Sequence, residues 1–272
     1  MRKYGISSVA FERPIGKDIF TSMKRVKDMG YQVFELMEND IRRIDVEGIR
    51  EASEKLGLEV TICAFHDGNS YTGDISSNSE LVRKTGLKFI KDMVDLAEKL
   101  KVSYITGPFY ATIEKMHKRS YRGLVEIYGW AVENMKIAAE YAGEKGISIG
   151  IEPCRRDCSD LINSAADCAM YIDDIGFDNV GFKLDTSHMC FEEDDIYSAV
   201  KLAGKRLLSV HLGGVGRGAP SDPDFNWTGF KKGLDDIGYE ADLTHELFSC
   251  GNLEKDIEIA KSEFIAMKKI FG

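Results

Sequence analysis

The feature that most constrains the fold is a regular alternation of short apolar runs with longer amphipathic segments. Eight such strand–helix units follow one another along the 272 residues. The strand-like runs occupy 4–10, 31–37, 58–65, 102–108, 147–153, 179–185, 206–212 and 240–248. Alternating strands and helices imply parallel strands joined by helical crossovers. Eight units at a length of about 250 residues favour a closed (β/α)8 TIM barrel over an open doubly wound sheet.

Composition agrees with one α/β domain over 1–272. The chain is 43% hydrophobic and 30% charged, which is typical of a soluble globular protein with a sizeable core. It contains no low-complexity segment or Pro-rich linker that would mark a second domain. The net charge of −9 argues against a nucleic-acid-binding face, which needs basic residues to neutralise phosphates.

The sequence also indicates where in the cell the protein is expected. It has no run of about 18 apolar residues, so we expect no membrane span. The segment 1–14 lacks a long apolar region and is not expected to be a signal peptide. Six cysteines without a CxxC pair predict reduced thiols and a cytoplasmic protein.

Polar side chains close four consecutive strand-like runs in the second half of the chain. These residues, called here the four-residue cluster, are Glu152, Asp185, His211 and Glu246. In a TIM barrel the C-terminal ends of the strands converge on the active site. Taken singly, each residue is more often a solvated carboxylate, a helix-capping partner or a core histidine. Together, at corresponding positions, they predict a site for one divalent metal ion per chain.

The donor types indicate which metal fits. Carboxylate oxygens and one imidazole suit Mn²⁺, Mg²⁺, Co²⁺ or Fe²⁺ better than a thiolate-bound structural zinc. His245 competes with Glu246 for the inward position, and adjacent strand residues point to opposite faces. If Glu246 faces inward, we expect His245 to pack outward against the helices.

Four segments resemble the xylose-isomerase-like TIM barrels, and within them the ketose 3-epimerase group that acts on D-tagatose and D-psicose. The segments read "GIEPCRRD", "LDTSHMCFEEDD", "SVHLGGVGRG" and "GYEADLTHELF". The second is the most specific. The N-terminal third of the chain matches only in its alternation of strand-like and helical segments. The resemblance implies an isomerase that epimerises sugars, forms a dimer or tetramer, and uses manganese, cobalt or magnesium.

The resemblance also implies roles for individual residues. The four-residue cluster would hold the metal, and Glu152 and Glu246 would in addition be the two acid/base catalysts on opposite faces of the substrate carbon. His188 and Arg217 match family residues that contact substrate oxygens. Their alternative interpretations are a neighbour of a helix N-terminus and a charge on a surface loop.

Three departures from the family pattern predict an altered substrate-recognition layer. Cys158 and Gly214 stand where the epimerases carry acidic residues. The loop after the third strand reads "AFHDGNSY", so His66 and Asp67 could enter the pocket. We therefore expect weak activity on free D-fructose, D-tagatose and D-psicose, and a related polyol or sugar derivative as substrate.

Three other functions compete with a metal-dependent sugar epimerase. A keto-polyol (inosose-type) dehydratase would use the same metal site, and the sequence does not separate it from an epimerase. An apurinic endonuclease shares the barrel, but it needs more metal ligands and a DNA-binding face. A non-catalytic sugar-binding subunit would not need both Glu152 and Glu246.

Overall fold

A computed structural model describes residues 2–11, 19–113, 121–215, 220–221 and 225–272. Within them, eight strands form a closed barrel in which each strand pairs in parallel with its neighbours in sequence and the first pairs with the last. The strands are β1 Tyr4–Ser7, β2 Val33–Met37, β3 Glu59–Cys63, β4 Tyr104–Gly107, β5 Ser148–Ile151, β6 Val180–Asp185, β7 Leu207–Leu212 and β8 Leu243–His245. The predicted (β/α)8 TIM barrel is confirmed.

Helices connect the strands and cover the outside of the barrel. They are α1 Ile19–Asp28, α2 Val46–Leu56, α3 Glu80–Leu100, α4 Tyr121–Glu144, α5 Ala165–Ile175, α6 Thr186–Glu192, α7 Ile196–Ala203, α8 Trp227–Ile237 and α9 Leu253–Phe271. In the part of the chain that the structure describes, no helix carries an apolar stretch long enough to span a bilayer.

Local sequence signals fix the ends of α5. The Ser164 side chain accepts a hydrogen bond from the Asp167 backbone N–H at 3.1 Å, and the Asp167 carboxylate accepts one from the Ser164 N–H at 2.9 Å. This reciprocal capping satisfies N–H groups that have no partner inside the helix. Gly176 ends the helix with a φ of 72°, a left-handed conformation that favours glycine.

The segment after β6 forms the seven-residue helix α6, and Asp185 caps it. The Asp185 Oδ1 accepts hydrogen bonds from the backbone N–H groups of Ser187 at 2.7 Å and His188 at 3.3 Å. This capping satisfies N–H groups that have no partner inside the helix, and it ties the carboxylate to the start of α6.

The two faces of the strands meet different surroundings. Phe34 on β2 and Phe182 on β6 are fully buried in the apolar layer between barrel and helices. The next residue in each strand points to the opposite face. These residues, Glu35 and Lys183, meet inside the barrel with 3.4 Å between the Lys183 Nζ and a Glu35 carboxylate oxygen. The barrel interior is therefore charged, whereas its outer layer is apolar.

Candidate metal centre and active site

The structure brings the four-residue cluster together at the C-terminal end of the barrel. Asp185 and His211 are register partners on β6 and β7, whereas Glu152 and Glu246 directly follow the last residues of β5 and β8. One donor atom from each residue lies within 4.8 Å of the others. All four side chains are buried, so the donors form a compact set.

The His211 ring presents its two nitrogens to different partners. Its Nδ1 lies 2.9 Å from an oxygen of Glu246, 3.5 Å from Asp185 and 3.7 Å from Glu152. Its Nε2 lies 2.8 Å from the Glu35 carboxylate. Nδ1 is therefore the nitrogen that faces the three carboxylates, and Nε2–H donates to Glu35.

Glu35 fixes the orientation of the histidine from outside the cluster. Histidines that bind metal commonly donate their second N–H to a carboxylate, which sets the ring orientation. Burial raises the pKa of Glu35, but the charges of His211 and Lys183 outweigh it and lower that pKa to about 2. The Glu35 charge in turn raises the pKa of His211 well above its ordinary value, against the opposing effect of burial.

A fully buried lysine lies beneath the cluster. The Lys183 Nζ is 3.1 Å from the Cys63 Sγ, 3.4 Å from Glu35 and 3.7 Å from Glu152. Burial lowers the pKa of Lys183, but the neighbouring thiol and carboxylates outweigh it and raise that pKa well above its ordinary value. Lys183 therefore supplies positive charge inside a barrel that holds several buried carboxylates. Buried charges are tolerated when an opposite charge lies beside them.

Sequence analysis missed Glu35, Cys63 and Lys183. The available signal was a charged residue in the middle of an apolar run, in "VFELM" and "GFKLD". Lys183 also precedes Asp185 by two residues, which places both side chains on one face of β6. A charge on the buried face of a strand usually has a partner, and this rule could have singled out the two charged residues.

The donor set fits a divalent metal ion. Three carboxylates and one imidazole, all buried and within 4.8 Å, match the ligand preferences of Mn²⁺, Mg²⁺ or Co²⁺. A second group, Glu35, Cys63 and His211, also has donor atoms within this distance. There the Lys183 ammonium already lies against Glu35 and Cys63, so a cation of the protein itself fills that position.

A cavity opens above the cluster, between the loops that follow the strands. It is lined by Met37, Cys63, Phe65, Pro108, Ile113, Glu152, Cys154, Arg155, Cys158, His188, Glu246 and Phe248. Burial raises the pKa of Glu152 to about 7, and the lowering effects of Lys183 and His211 only partly offset it. A carboxyl group that titrates near neutral pH and lines a cavity is suited to proton transfer.

His188 lies at the cavity wall, and its predicted contact with substrate oxygens stays a prediction. Its Nδ1 accepts a hydrogen bond from the Arg155 backbone N–H at 3.3 Å. The neutral ring therefore carries its proton on Nε2, which makes that nitrogen a donor.

His66, another predicted substrate contact, does not line the cavity. His66 is fully buried against Phe89, and its Nδ1 bonds the Thr72 carbonyl oxygen at 2.8 Å. Phe65 lines the cavity instead, because adjacent residues of an extended segment point in opposite directions. Arg217 lies outside the described residues.

The predicted outward packing of His245 is confirmed. Its Nδ1 lies 3.2 Å from the Tyr31 hydroxyl, which itself donates to the Ala260 carbonyl oxygen at 2.9 Å. The tyrosine oxygen is thus the acceptor, and His245 Nδ1 carries the proton. Burial lowers the pKa of His245 to about 4, so the ring is neutral in this layer.

The structure is a closed (β/α)8 barrel with a candidate metal site of carboxylates and one histidine at the C-terminal ends of its strands. The family model described as xylose isomerase-like TIM barrel matches residues 23–269. The chain belongs to the xylose isomerase-like TIM-barrel family.

Relatives of known activity are similar over most of the chain. The L-ribulose 3-epimerase of Mesorhizobium japonicum is 26% identical over 94% of this chain and 85% of its own length. The D-psicose 3-epimerase of Agrobacterium fabrum is 27% identical, over 94% of this chain and 89% of its own. The 3-dehydro-D-guloside 4-epimerase of Escherichia coli is 25% identical, over 90% and 91% respectively.

Solved structures share the fold. The D-psicose 3-epimerase of Clostridium cellulolyticum, determined with D-tagatose, superposes with a TM-score of 0.89 at 22% identity and covers 99% of both chains. The 3-keto-D-glucoside 4-epimerase of E. coli superposes with a TM-score of 0.84 at 20% identity, covering 99% of this chain and 100% of its own. At these identities, the superpositions show a common fold.

Proposed function

We propose that the protein is a divalent-metal-dependent isomerase that epimerises a keto-sugar at the carbon next to its carbonyl group. The observation that carries the proposal is the position of Glu152 and Glu246. Both line the cavity, and both belong to the four-residue cluster. Epimerisation needs one group to remove a proton and another to return one from the opposite side, and two carboxyl groups at one cavity provide such a pair.

A bound divalent ion would polarise the substrate carbonyl and stabilise the enediolate oxygen. The ion would be held by the four-residue cluster. Glu152 lines the cavity as well as belonging to the four-residue cluster, so it is placed to exchange a proton with a bound substrate. Glu246 is the partner carboxylate. His188, with its proton on Nε2, is placed to donate a hydrogen bond to a substrate oxygen.

The relatives support an epimerase over the dehydratase alternative. Two of those described above are named for 3-epimerisation of a ketose, and the third for 4-epimerisation of a dehydro-glycoside. Both reactions invert a carbon next to a carbonyl. The same argument makes a purely sugar-binding subunit a poor description of a chain that keeps both carboxyl groups at the cavity.

The finer assignments are also proposals. We propose manganese as the native metal, with cobalt or magnesium as substitutes, because an oxygen-rich donor set with one imidazole suits these ions. We propose a homodimer or homotetramer by analogy with the family. All six cysteines are free, in keeping with a reducing compartment such as the cytoplasm.

The decisive test measures whether the substrate proton next to the carbonyl group exchanges with solvent deuterium. The metal-loaded protein is incubated in D₂O with a panel of keto-sugars, and products are analysed by NMR and mass spectrometry. Deuterium at the carbon next to the carbonyl, together with a new stereoisomer, is the expected result. Loss of one water molecule from the substrate would instead identify a dehydratase.

Substitution of the two carboxyl groups tests their pairing. Glu152→Gln and Glu246→Gln keep an oxygen that can coordinate metal but cannot accept the proton. We expect each variant to retain metal and to lose turnover by about 10²–10⁴-fold, the usual contribution of general acid–base catalysis. Near-wild-type turnover of metal-loaded Glu246→Gln would contradict the two-sided mechanism and favour a single-base isomerase.

A further inference from the structure

Arg155 brings a permanent positive charge to the wall of the cavity. Among the described lining residues, it is the one that carries such a charge. The acidic lining residues, Glu152 and Glu246, belong to the four-residue cluster. Most of the remaining lining side chains are apolar or thiols: Met37, Cys63, Phe65, Pro108, Ile113, Cys154, Cys158 and Phe248. A guanidinium beside such walls has an unusually strong preference for a negatively charged ligand.

The guanidinium is held in place by its surroundings. It lies over the Phe191 ring, 5.1 Å from the ring centroid, and its Nη2 is 3.9 Å from the Sγ of Cys158, another lining residue. Its Nε donates to the Asp157 carboxylate at 2.9 Å. The Asp157 side chain is 67% exposed, so water competes for this ion pair and the pair is weak.

The neighbouring Arg156 differs from Arg155, because a buried carboxylate accepts hydrogen bonds from its guanidinium. Its Nε and Nη2 both donate to Oε2 of Glu192, at 3.0 and 2.6 Å, Nε also donates to Oε1 at 3.2 Å, and the Glu192 side chain is 3% exposed. By contrast, no carboxylate within the described ranges accepts a hydrogen bond from Nη1 or Nη2 of Arg155. Arg155 thus retains donors that can bind another anion.

We propose that Arg155 binds an anionic group of the substrate, so that the natural substrate is an acidic keto-sugar. The geometry of a guanidinium matches a carboxylate or a phosphate, which it binds through two parallel hydrogen bonds. The inference rests on the proposed function, because it names the substrate class of the same cavity. A neutral ketose offers hydroxyl groups alone, which gain less from a charged donor.

The test compares neutral and anionic ligands on the metal-loaded protein. The probes are D-fructose, D-fructose 6-phosphate and D-fructuronate, with binding measured by calorimetry and turnover by deuterium exchange in D₂O. We expect wild-type protein to bind at least one anionic probe more tightly than D-fructose. Arg155→Gln should weaken binding of that probe by roughly 10- to 150-fold, the range of one charge-assisted hydrogen bond, and weaken binding of D-fructose much less.

Two matched variants complete the design. Arg156→Gln removes a neighbouring arginine that does not line the cavity, and it should leave the preference intact. Arg155→Lys keeps the charge without the planar fork, and it should restore part of the preference. Metal stoichiometry and circular dichroism confirm that each variant is folded.

The outcomes separate this inference from the proposed function. Preference for the phosphate or for the carboxylate identifies which anion Arg155 serves. Equal binding and turnover of neutral and anionic ketoses, with no change in Arg155→Gln, would overturn the inference about Arg155. It would not contradict the proposed epimerase function. Absence of deuterium exchange with every ketose, in protein that still binds the anionic probes through Arg155, overturns the epimerase instead.

Discussion

Two histidines on neighbouring strands have the same burial and opposite electrostatics. His211 on β7 and His245 on β8 are both fully buried. Three carboxylates and Glu35 surround His211, and Glu35 is the main cause of its raised pKa, against the effect of burial. His245 packs against the Tyr31 ring at 5.6 Å, and burial lowers its pKa to about 4. The face of the strand, and not the depth of burial, decides in which direction the pKa of a histidine of this barrel is shifted.

The same contrast divides the whole barrel wall. In the interior, charged side chains of opposite sign lie against one another and balance their charges. The outer layer is apolar, and its few polar groups are held by individual hydrogen bonds. Buried charges that are removed one at a time leave partners uncompensated, and this costs more than removing an apolar or singly bonded group. Substitutions on the two faces should therefore differ in size and in kind.

The largest effect on stability is expected from Lys183. Lys183→Met removes the cation that lies against Glu35, Cys63 and Glu152, and leaves buried carboxylates uncompensated. We expect the free energy of unfolding of the metal-free protein to fall by about 3–5 kcal/mol, measured by urea denaturation. The control is Lys24→Met, which removes an exposed ion pair with Asp28 and should change stability little. Equal losses of stability in the two variants would contradict the claim that the interior carboxylates depend on the Lys183 charge.

The next effect concerns metal binding and compares the two histidines directly. His211→Ala removes a predicted ligand and should weaken metal binding by more than about 100-fold, since loss of a mere supporting hydrogen bond costs 10- to 100-fold. His245→Phe changes the outer layer and should leave metal affinity within about threefold of wild type, below the range expected of any residue that supports a ligand. Competitive chelator titration measures both. Stoichiometric, tight metal in His211→Ala would show that the cluster has been wrongly assigned.

A smaller effect is expected in the outer layer. Tyr31→Phe deletes the hydroxyl that bonds both Ala260 and His245, and it therefore removes two buried hydrogen bonds. We expect a loss of about 1–3 kcal/mol in unfolding free energy, with no change in metal affinity. A change in metal affinity would mean that the two faces of the barrel wall are coupled.

The smallest effect is a dependence on pH. Burial lowers the pKa of His66, which packs against Phe89 and Phe109. Below about pH 6.5 the unfolded chain binds a proton at this residue that the folded protein refuses, so the contribution of His66 to stability falls as pH falls. His66→Asn keeps an N–H donor for Thr72 but does not titrate. The stability advantage of wild type over this variant should shrink between pH 7.5 and pH 5; an advantage independent of pH would show that the ring is not held neutral.

The sequence by itself determined the repeating architecture and the predicted metal ligands. Strand–helix alternation implies parallel strands, and a polar residue at the end of an apolar run is visible without coordinates. Because parallel strands place all their C-terminal ends at one rim, Glu152, Asp185 and His211 could be predicted to meet. The choice between Glu246 and His245 followed from the alternation of side chains along a strand.

The tertiary structure alone decided which distant residues support that site. Glu35 and Lys183 are 148 positions apart and meet only because the barrel closes. The loop after β3 directs Phe65 to the cavity and His66 away from it, a choice that depends on packing against α3. Contacts across a closed barrel join strands with no local sequence relation, so the pairing of its interior charges is a property of the fold.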